Sequence, residues 1–118
     1  MKKILIADDS STMRLLLKMH LRGIGATIIE AADGQAALDK LSEEPFDMLI
    51  TDINMPNMTG LELTKAVREK GISIPIIILT TKGEESDVEK GMSLGATGYL
   101  TKPVDPKELL NLIFKTNS

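Results

Sequence analysis

Residues 48–60 read Met-Leu-Ile-Thr-Asp-Ile-Asn-Met-Pro-Asn-Met-Thr-Gly, and the fold turns on them. The apolar run from Met48 to Ile50 meets an acid, Asp52, and the turn residues Asn54, Pro56, Asn57 and Gly60 follow at once. A short apolar run closed by turn residues is the pattern of a buried strand. Asp52 then stands where such a strand leaves its sheet, which is where open parallel sheets hold ligands. An aspartate can also simply open a turn. The rest of the chain decides between these readings.

Working outward, the strand is expected over Phe46–Asp52. After it, Thr59-Gly60-Leu61-Glu62 has capping-box spacing and opens a helix with Leu61, Leu63, Ala66 and Val67, closed by Gly71. Pro75–Thr80 contains Ile76-Ile77-Ile78-Leu79, the most apolar strand and therefore a central one. An acidic helix over Gly83–Leu94 carries Glu84, Glu85, Asp87 and Glu89 and is interrupted by Gly91. Thr97–Thr101 is a fifth strand, and Lys102-Pro103 follows it. Asp105-Pro106-Lys107-Glu108 is a helix start: cap, proline in the first turn, Glu three residues on.

Upstream, Lys3–Ala7 is a first strand ending in Asp8-Asp9. Ser10, Ser11 or Thr12 can cap a helix whose apolar face is Met13, Leu16, Leu17, His20, Leu21 and Ile24, with Gly23 and Gly25 ending it. Thr27–Ala31 is a second strand. Asp33-Gly34 caps a second helix with Ala37, Leu38 and Leu41. Strand and helix alternate five times, which predicts a doubly wound, five-stranded parallel sheet with five helices on its two faces.

Composition narrows the function. The length of 118 residues suits one domain, with no segment left for an output domain. A net charge of −3 without a basic block argues against nucleic-acid binding, and 3% aromatic content without Trp argues against base stacking. The chain has no cysteine, so disulfide and thiolate chemistry are excluded. Met1-Lys2-Lys3 before Ile4–Ala7 has the outline of a signal peptide, but the apolar run is too short and two acids end it. No stretch is suited to span a membrane. The expectation is a cytoplasmic protein.

In a parallel sheet the strand C-termini share one edge. That edge gathers Asp8, Asp9, Asp52, Thr80, Thr81 and Lys102. Two carboxylates about 4 Å apart repel by roughly 4 kcal/mol at an effective dielectric of about 20. Three together either hold a proton or bind a cation. Oxygen ligands with open positions suit Mg2+, whereas the single His20, on a helix's apolar face, makes zinc a poor match. A cation, a carboxylate, a hydroxyl and an ammonium are what phosphoryl transfer needs. Asp52, on the middle strand, is the candidate nucleophile. Each residue also has a plain reading: Asp8-Asp9 as a helix start, Thr80 as a strand former, Lys102 as a solvated charge. Their common place at strand ends favours a site.

With these residues in view, the chain resembles the receiver domains of two-component response regulators, and most of all the stand-alone chemotaxis type. Asp8-Asp9 with Ser11-Thr12-Met13-Arg14, the run from Asp52 to Leu63, Thr80, Gly98-Tyr99 and Lys102-Pro103 carry the resemblance over the whole chain. It implies a flavodoxin-like strand order 2-1-3-4-5. It implies Asp52 as phospho-acceptor, and Mg2+ bound by Asp9 and Asp52, by the main-chain carbonyl of Asn54, and by Asp8 through water. Lys102 would contact phosphoryl oxygens, Thr80 would hydrogen-bond the phosphoryl group, and Tyr99 would change rotamer with it. The Lys102–Pro103 peptide would be cis. Asn54 and Lys82 fall where this family tunes hydrolysis. Thr81 stands where a smaller residue is common.

The implied partners are a histidine kinase as phosphodonor and a downstream protein such as a flagellar motor switch, with a phosphatase as a further candidate. The chain would act as a monomeric switch, not an enzyme on other substrates, and would present its fourth helix, fifth strand and fifth helix to its target. Two other classes compete. An aspartyl phosphatase wants a second acid two residues beyond the nucleophile, where this chain has Asn54. A flavodoxin-type nucleotide binder wants a glycine-rich phosphate loop after the first strand, where this chain has Asp8-Asp9. A phosphorelay intermediate unconnected to a motor is a third alternative.

Overall fold

The computed structural model describes residues 2–81 and 84–116. In chain order its elements are β1 (Lys3–Ala7), α1 (Ser11–His20), β2 (Thr27–Ala31), α2 (Gly34–Glu43), β3 (Met48–Asp52), α3 (Gly60–Glu69), β4 (Ile76–Thr80), α4 (Glu85–Ser93), β5 (Gly98–Thr101) and α5 (Pro106–Thr116). The sheet is parallel throughout, in the order β2-β1-β3-β4-β5, as the resemblance implies. Lys82 and the expected start of the fourth helix at Gly83 lie outside the described residues.

Side-chain caps set where the helices begin. Ser10 Oγ accepts from the Met13 N–H at 3.2 Å, and Asp33 Oδ1 accepts from the Ala36 N–H at 2.7 Å. Thr59 and Glu62 form the reciprocal capping box that their spacing predicts. The first helix departs from expectation. α1 stops at His20, and Arg22–Ile24 forms a 3-10 turn that ends at Gly25 with φ of +72°. A glycine accepts that left-handed conformation readily, so the chain can reverse into β2 while Ile24 keeps its contact with the core. Three strands begin later than expected: β3 at Met48 instead of Phe46, β4 at Ile76 instead of Pro75 and β5 at Gly98 instead of Thr97. Pro75 has no N–H to give β4, although its carbonyl still accepts from Leu49 at 3.0 Å. Thr97 uses its hydroxyl to accept from the Ile76 N–H, so β5 starts at Gly98.

The central strands are buried on both faces: every residue of β3 and β4 is buried. Ile4, Ile6, Met48, Ile50, Ile77, Leu79 and Leu100 pack with Leu17 and Leu21 of α1 and with Leu109 and Ile113 of α5. Leu5, Ala7, Leu49, Ile76 and Ile78 pack on the other side with α2 and α3. α4 joins that second layer: a Cβ on Gly91 would fall 2.4 Å from Ile78 Cδ1. Two helices on one face and three on the other leave the C-terminal edge of the sheet open to the loops. Among the described residues no helix is long and apolar enough to cross a membrane.

Candidate functional site

β1 delivers Asp8 into the interior, with no solvent exposure. Its N–H donates to the Ala31 carbonyl at 3.1 Å, and its Oδ1 accepts from the Ser10 N–H at 2.9 Å. Its Oδ2 is buried and has no hydrogen-bond partner among the described residues. Burial pushes the Asp8 carboxyl above its ordinary range. The Ser10 N–H and Lys102 pull against that, Asp52 and Asp9 add to it, and the net direction is upward.

β3 delivers Asp52, also buried, whose Oδ1 accepts from the Ile53 N–H at 2.9 Å. The chain then folds back tightly. The Gly60 N–H donates to the Ile53 carbonyl at 2.8 Å, and a Cβ on Gly60 would stand 2.1 Å from the Asp52 carbonyl oxygen. Only glycine lets the start of α3 approach the end of β3 so closely. Asn54 is exposed in this loop. Asn57 adopts φ of +68°, and its side-chain amide donates to Asp33 Oδ2 at 3.1 Å, which ties the loop to the start of α2.

Lys102 arrives from β5. Its N–H donates to the Thr80 carbonyl at 2.7 Å, and the Lys102–Pro103 peptide is cis, as expected. The Lys102 ammonium lies 3.2 Å from Asp52 Oδ1 and 3.6 Å from Asp8 Oδ2. Thr80 is buried at the end of β4, and its hydroxyl donates to the Thr81 carbonyl at 3.3 Å. Thr81 itself is exposed. Tyr99 pairs in register with Ile78 and Thr101 with Thr80, so Tyr99 and Thr80 share the face on which α4 packs. The Tyr99 ring points outward, 49% exposed.

Asp8, Asp9 and Asp52 each offer one oxygen, and these atoms lie within 4.8 Å of one another. Two of the acids are buried and Asp9 is exposed, so the cluster has one wet side. A hard, all-oxygen donor set with room for water fits Mg2+. Asp8 Oδ2 points the same way: it is buried with no hydrogen bond among the described residues, and the Lys102 ammonium at 3.6 Å is too far to supply one, so a cation at this edge would meet it. Of the residues expected at the sheet edge, Asp8, Asp9, Asp52 and Lys102 come together, Thr80 joins them through its carbonyl bond to the Lys102 N–H, and Thr81 is exposed beside it; Lys82, named only through the resemblance, lies outside the described residues. His20 closes α1 half-buried, away from this group. Sequence reasoning gives Arg14 and Glu30 no role at the site, and reads Asp33 only as a helix cap and Asn57 only as a turn residue. Arg14 and Lys18 stand four apart on α1 and both reach Glu30, a spacing visible in the sequence once β2 is known to lie beside α1.

A five-stranded parallel sheet with three acids, a threonine and a lysine at one edge defines a class, and comparison with known proteins agrees. Residues 4–114 match the model of the response regulator receiver domain, and the chain belongs to that family. Over 101 residues it is 50% identical to the sensor protein EvgS of Escherichia coli, covering 86% of this chain but only 8% of that protein. The structure of the chemotaxis response regulator CheY4 of Vibrio cholerae superposes with a TM-score of 0.90 at 40% identity, covering 98% of each chain. The receiver domain of a sensor histidine kinase from Pseudomonas aeruginosa, solved with magnesium in its active-site cleft, superposes with a TM-score of 0.88 at 27% identity, covering 98% of this chain and 97% of that one. Receiver domains are phospho-accepting switches served by histidine kinases.

Proposed function

We propose that Asp52 accepts a phosphoryl group from a histidine kinase, with Mg2+ held by Asp9, Asp52 and the Asn54 main-chain carbonyl, and by Asp8 through water. The observation that carries this reading is the Lys102 ammonium between Asp52 and Asp8, beside a third acid. An Asp52 carboxylate oxygen attacks phosphorus and a P–O bond forms. The P–N bond to the kinase imidazole breaks, and the nitrogen leaves with the bonding pair and takes a proton from solvent. The cation supplies charge neutralisation at the phosphoryl oxygens. Lys102 can leave Asp8 to meet those oxygens, and Thr80 can turn its hydroxyl from the Thr81 carbonyl towards them.

The signal leaves through α4, β5 and α5. Thr80 and Tyr99 on one face of the sheet, beneath α4, support that route. The setting we favour is a cytoplasmic regulator of chemotaxis, supported by the 40% identity to the Vibrio cholerae protein. A second reading, a receiver within a phosphorelay, has its own support in the 50% identity to a sensor protein. Glu84 and Asp87 are half-buried and Glu89 is exposed on α4, so a basic target patch fits either setting.

The test is intact mass after incubation with Mg2+ and acetyl phosphate. One phosphoryl adduct, lost in Asp52→Asn and in EDTA, is the expected result. An adduct of equal yield in Asp52→Asn overturns the assignment.

A further inference from the structure

Asp9 is exposed at the rim of the site, and no hydrogen bond or ion pair holds its carboxylate among the described residues. Its direction is therefore set by its backbone. The peptide that joins Asp8 to Asp9 is gripped at its carbonyl, where Arg14 Nη1 donates to the Asp8 oxygen at 2.6 Å. The same guanidinium donates through Nε to Glu30 Oε1 at 2.9 Å. Lys18 Nζ donates to the other Glu30 oxygen at 3.1 Å. Glu30 lies on β2 next to Ala31, whose carbonyl takes the Asp8 N–H.

We propose that Arg14, backed by Glu30, is a positioning residue: it fixes the plane of the Asp8–Asp9 peptide and so aims the Asp9 carboxylate at the cation site beside Asp52. The proposal rests on the reading of Asp8, Asp9 and Asp52 as a Mg2+ site. Three observations support it. The Arg14 side chain is mostly buried, 16% exposed, so its geometry is held by packing. Its two bonds leave from different nitrogens of one planar fork, which a lysine ammonium on a flexible stem cannot reproduce. Burial pushes the Glu30 carboxyl up, but the bonds from Lys18 and Arg14 outweigh it and hold the group below its ordinary range, as an engaged carboxylate. If the pair only tied α1 to β2, its loss would lower stability and leave cation binding alone.

The full chain and its Arg14→Lys, Arg14→Ala and Glu30→Gln variants are titrated with Mg2+ by calorimetry. Each is also melted in EDTA, and backbone amide shifts are recorded without metal. Partners behind metal ligands typically change affinity by about 10- to 100-fold. Arg14→Lys is expected to weaken Mg2+ binding roughly tenfold while melting close to the parent. Its Asp9 and Ser10 amides should shift in the metal-free protein, and those of Thr80 and Lys102 should not. Glu30→Gln should move the same amides, with a smaller loss of affinity. If Arg14→Ala does not fold, the two conservative variants carry the test. Mg2+ affinity within about twofold of the parent in both of them, or an unmoved Asp9 amide, overturns the proposal. A parent that binds no Mg2+, or an Asp52→Asn chain that binds it equally well, overturns the metal-site reading itself, in an experiment that involves no change at Arg14.

Discussion

The Lys102 ammonium stands 3.2 Å from Asp52 Oδ1, and it reaches there from the end of β5, two strands away in the sheet from β3. It is the charge that allows two buried carboxylates, Asp52 and Asp8, to sit side by side before any phosphate arrives. Replacing it should therefore affect folding as well as switching. Lys102→Met in EDTA at pH 7 is expected to lose about 1–3 kcal/mol, since breaking a buried pair leaves a charge uncompensated. Urea unfolding measures this, and added Mg2+ should restore part of the loss. Unchanged stability in EDTA would mean that the pair carries no net energy.

Asp8 is expected to cost stability at neutral pH in the absence of metal. Its folded pKa lies above the ordinary value of 3.8, chiefly through burial. The folded state then binds the proton more tightly than the unfolded state. Stability from this group is fully present below the unfolded value and is lost as pH rises through the folded one. Asp8→Asn should therefore melt above the parent at pH 7 in EDTA, and the advantage should shrink as pH falls towards about 4. Mg2+ should raise the parent's melting temperature more than the variant's. An advantage that grows on acidification would give the wrong sign.

Two glycines should respond very differently to alanine. At Gly60 the new Cβ meets the Asp52 carbonyl oxygen, a backbone atom that cannot move without shifting the site. Gly60→Ala is expected to cost more than about 3 kcal/mol and to abolish the phosphoryl adduct. At Gly91 the Cβ meets the tip of the Ile78 side chain, which can change rotamer. The helix gains roughly 1 kcal/mol from alanine, so Gly91→Ala should be near neutral in stability. Paired melting curves and mass spectra check both.

Thr80→Ala is expected to accept phosphate yet fail to transmit it. The adduct should form at close to the parent yield. Amide shifts along α4, β5 and α5 that appear in the parent with beryllofluoride should be absent or much reduced. Tyr99→Ala, at an exposed position, should change stability by less than about 0.5 kcal/mol. It should nonetheless weaken binding of a target that reads this face. Shifts confined to α1 and α2 in the parent would place the output elsewhere.

Much of this molecule was legible in its sequence because the signals are local. Serine, aspartate and threonine caps, the apolar runs of β1, β3 and β4, and the Thr59–Glu62 box each depend on residues within four positions of one another. Five strands each followed by a helix left little choice but a parallel sheet, whose strand ends gather Asp8, Asp9, Asp52, Thr80 and Lys102 at one edge. Strand order came only through family resemblance, because pairing is a contact between segments far apart in the chain. The end of α1 is hidden in the sequence for a related reason: Ile24 keeps the helical spacing, but the contact that holds it is with the core. Tertiary structure alone decided that Lys102 bridges Asp8 and Asp52, that Gly60 lets α3 touch the end of β3, and that Arg14 reaches from α1 to the Asp8 carbonyl and to Glu30 on β2. Those relations depend on distances of a few ångströms between elements separated in sequence, and side-chain order along a chain carries no such distances until the elements have packed.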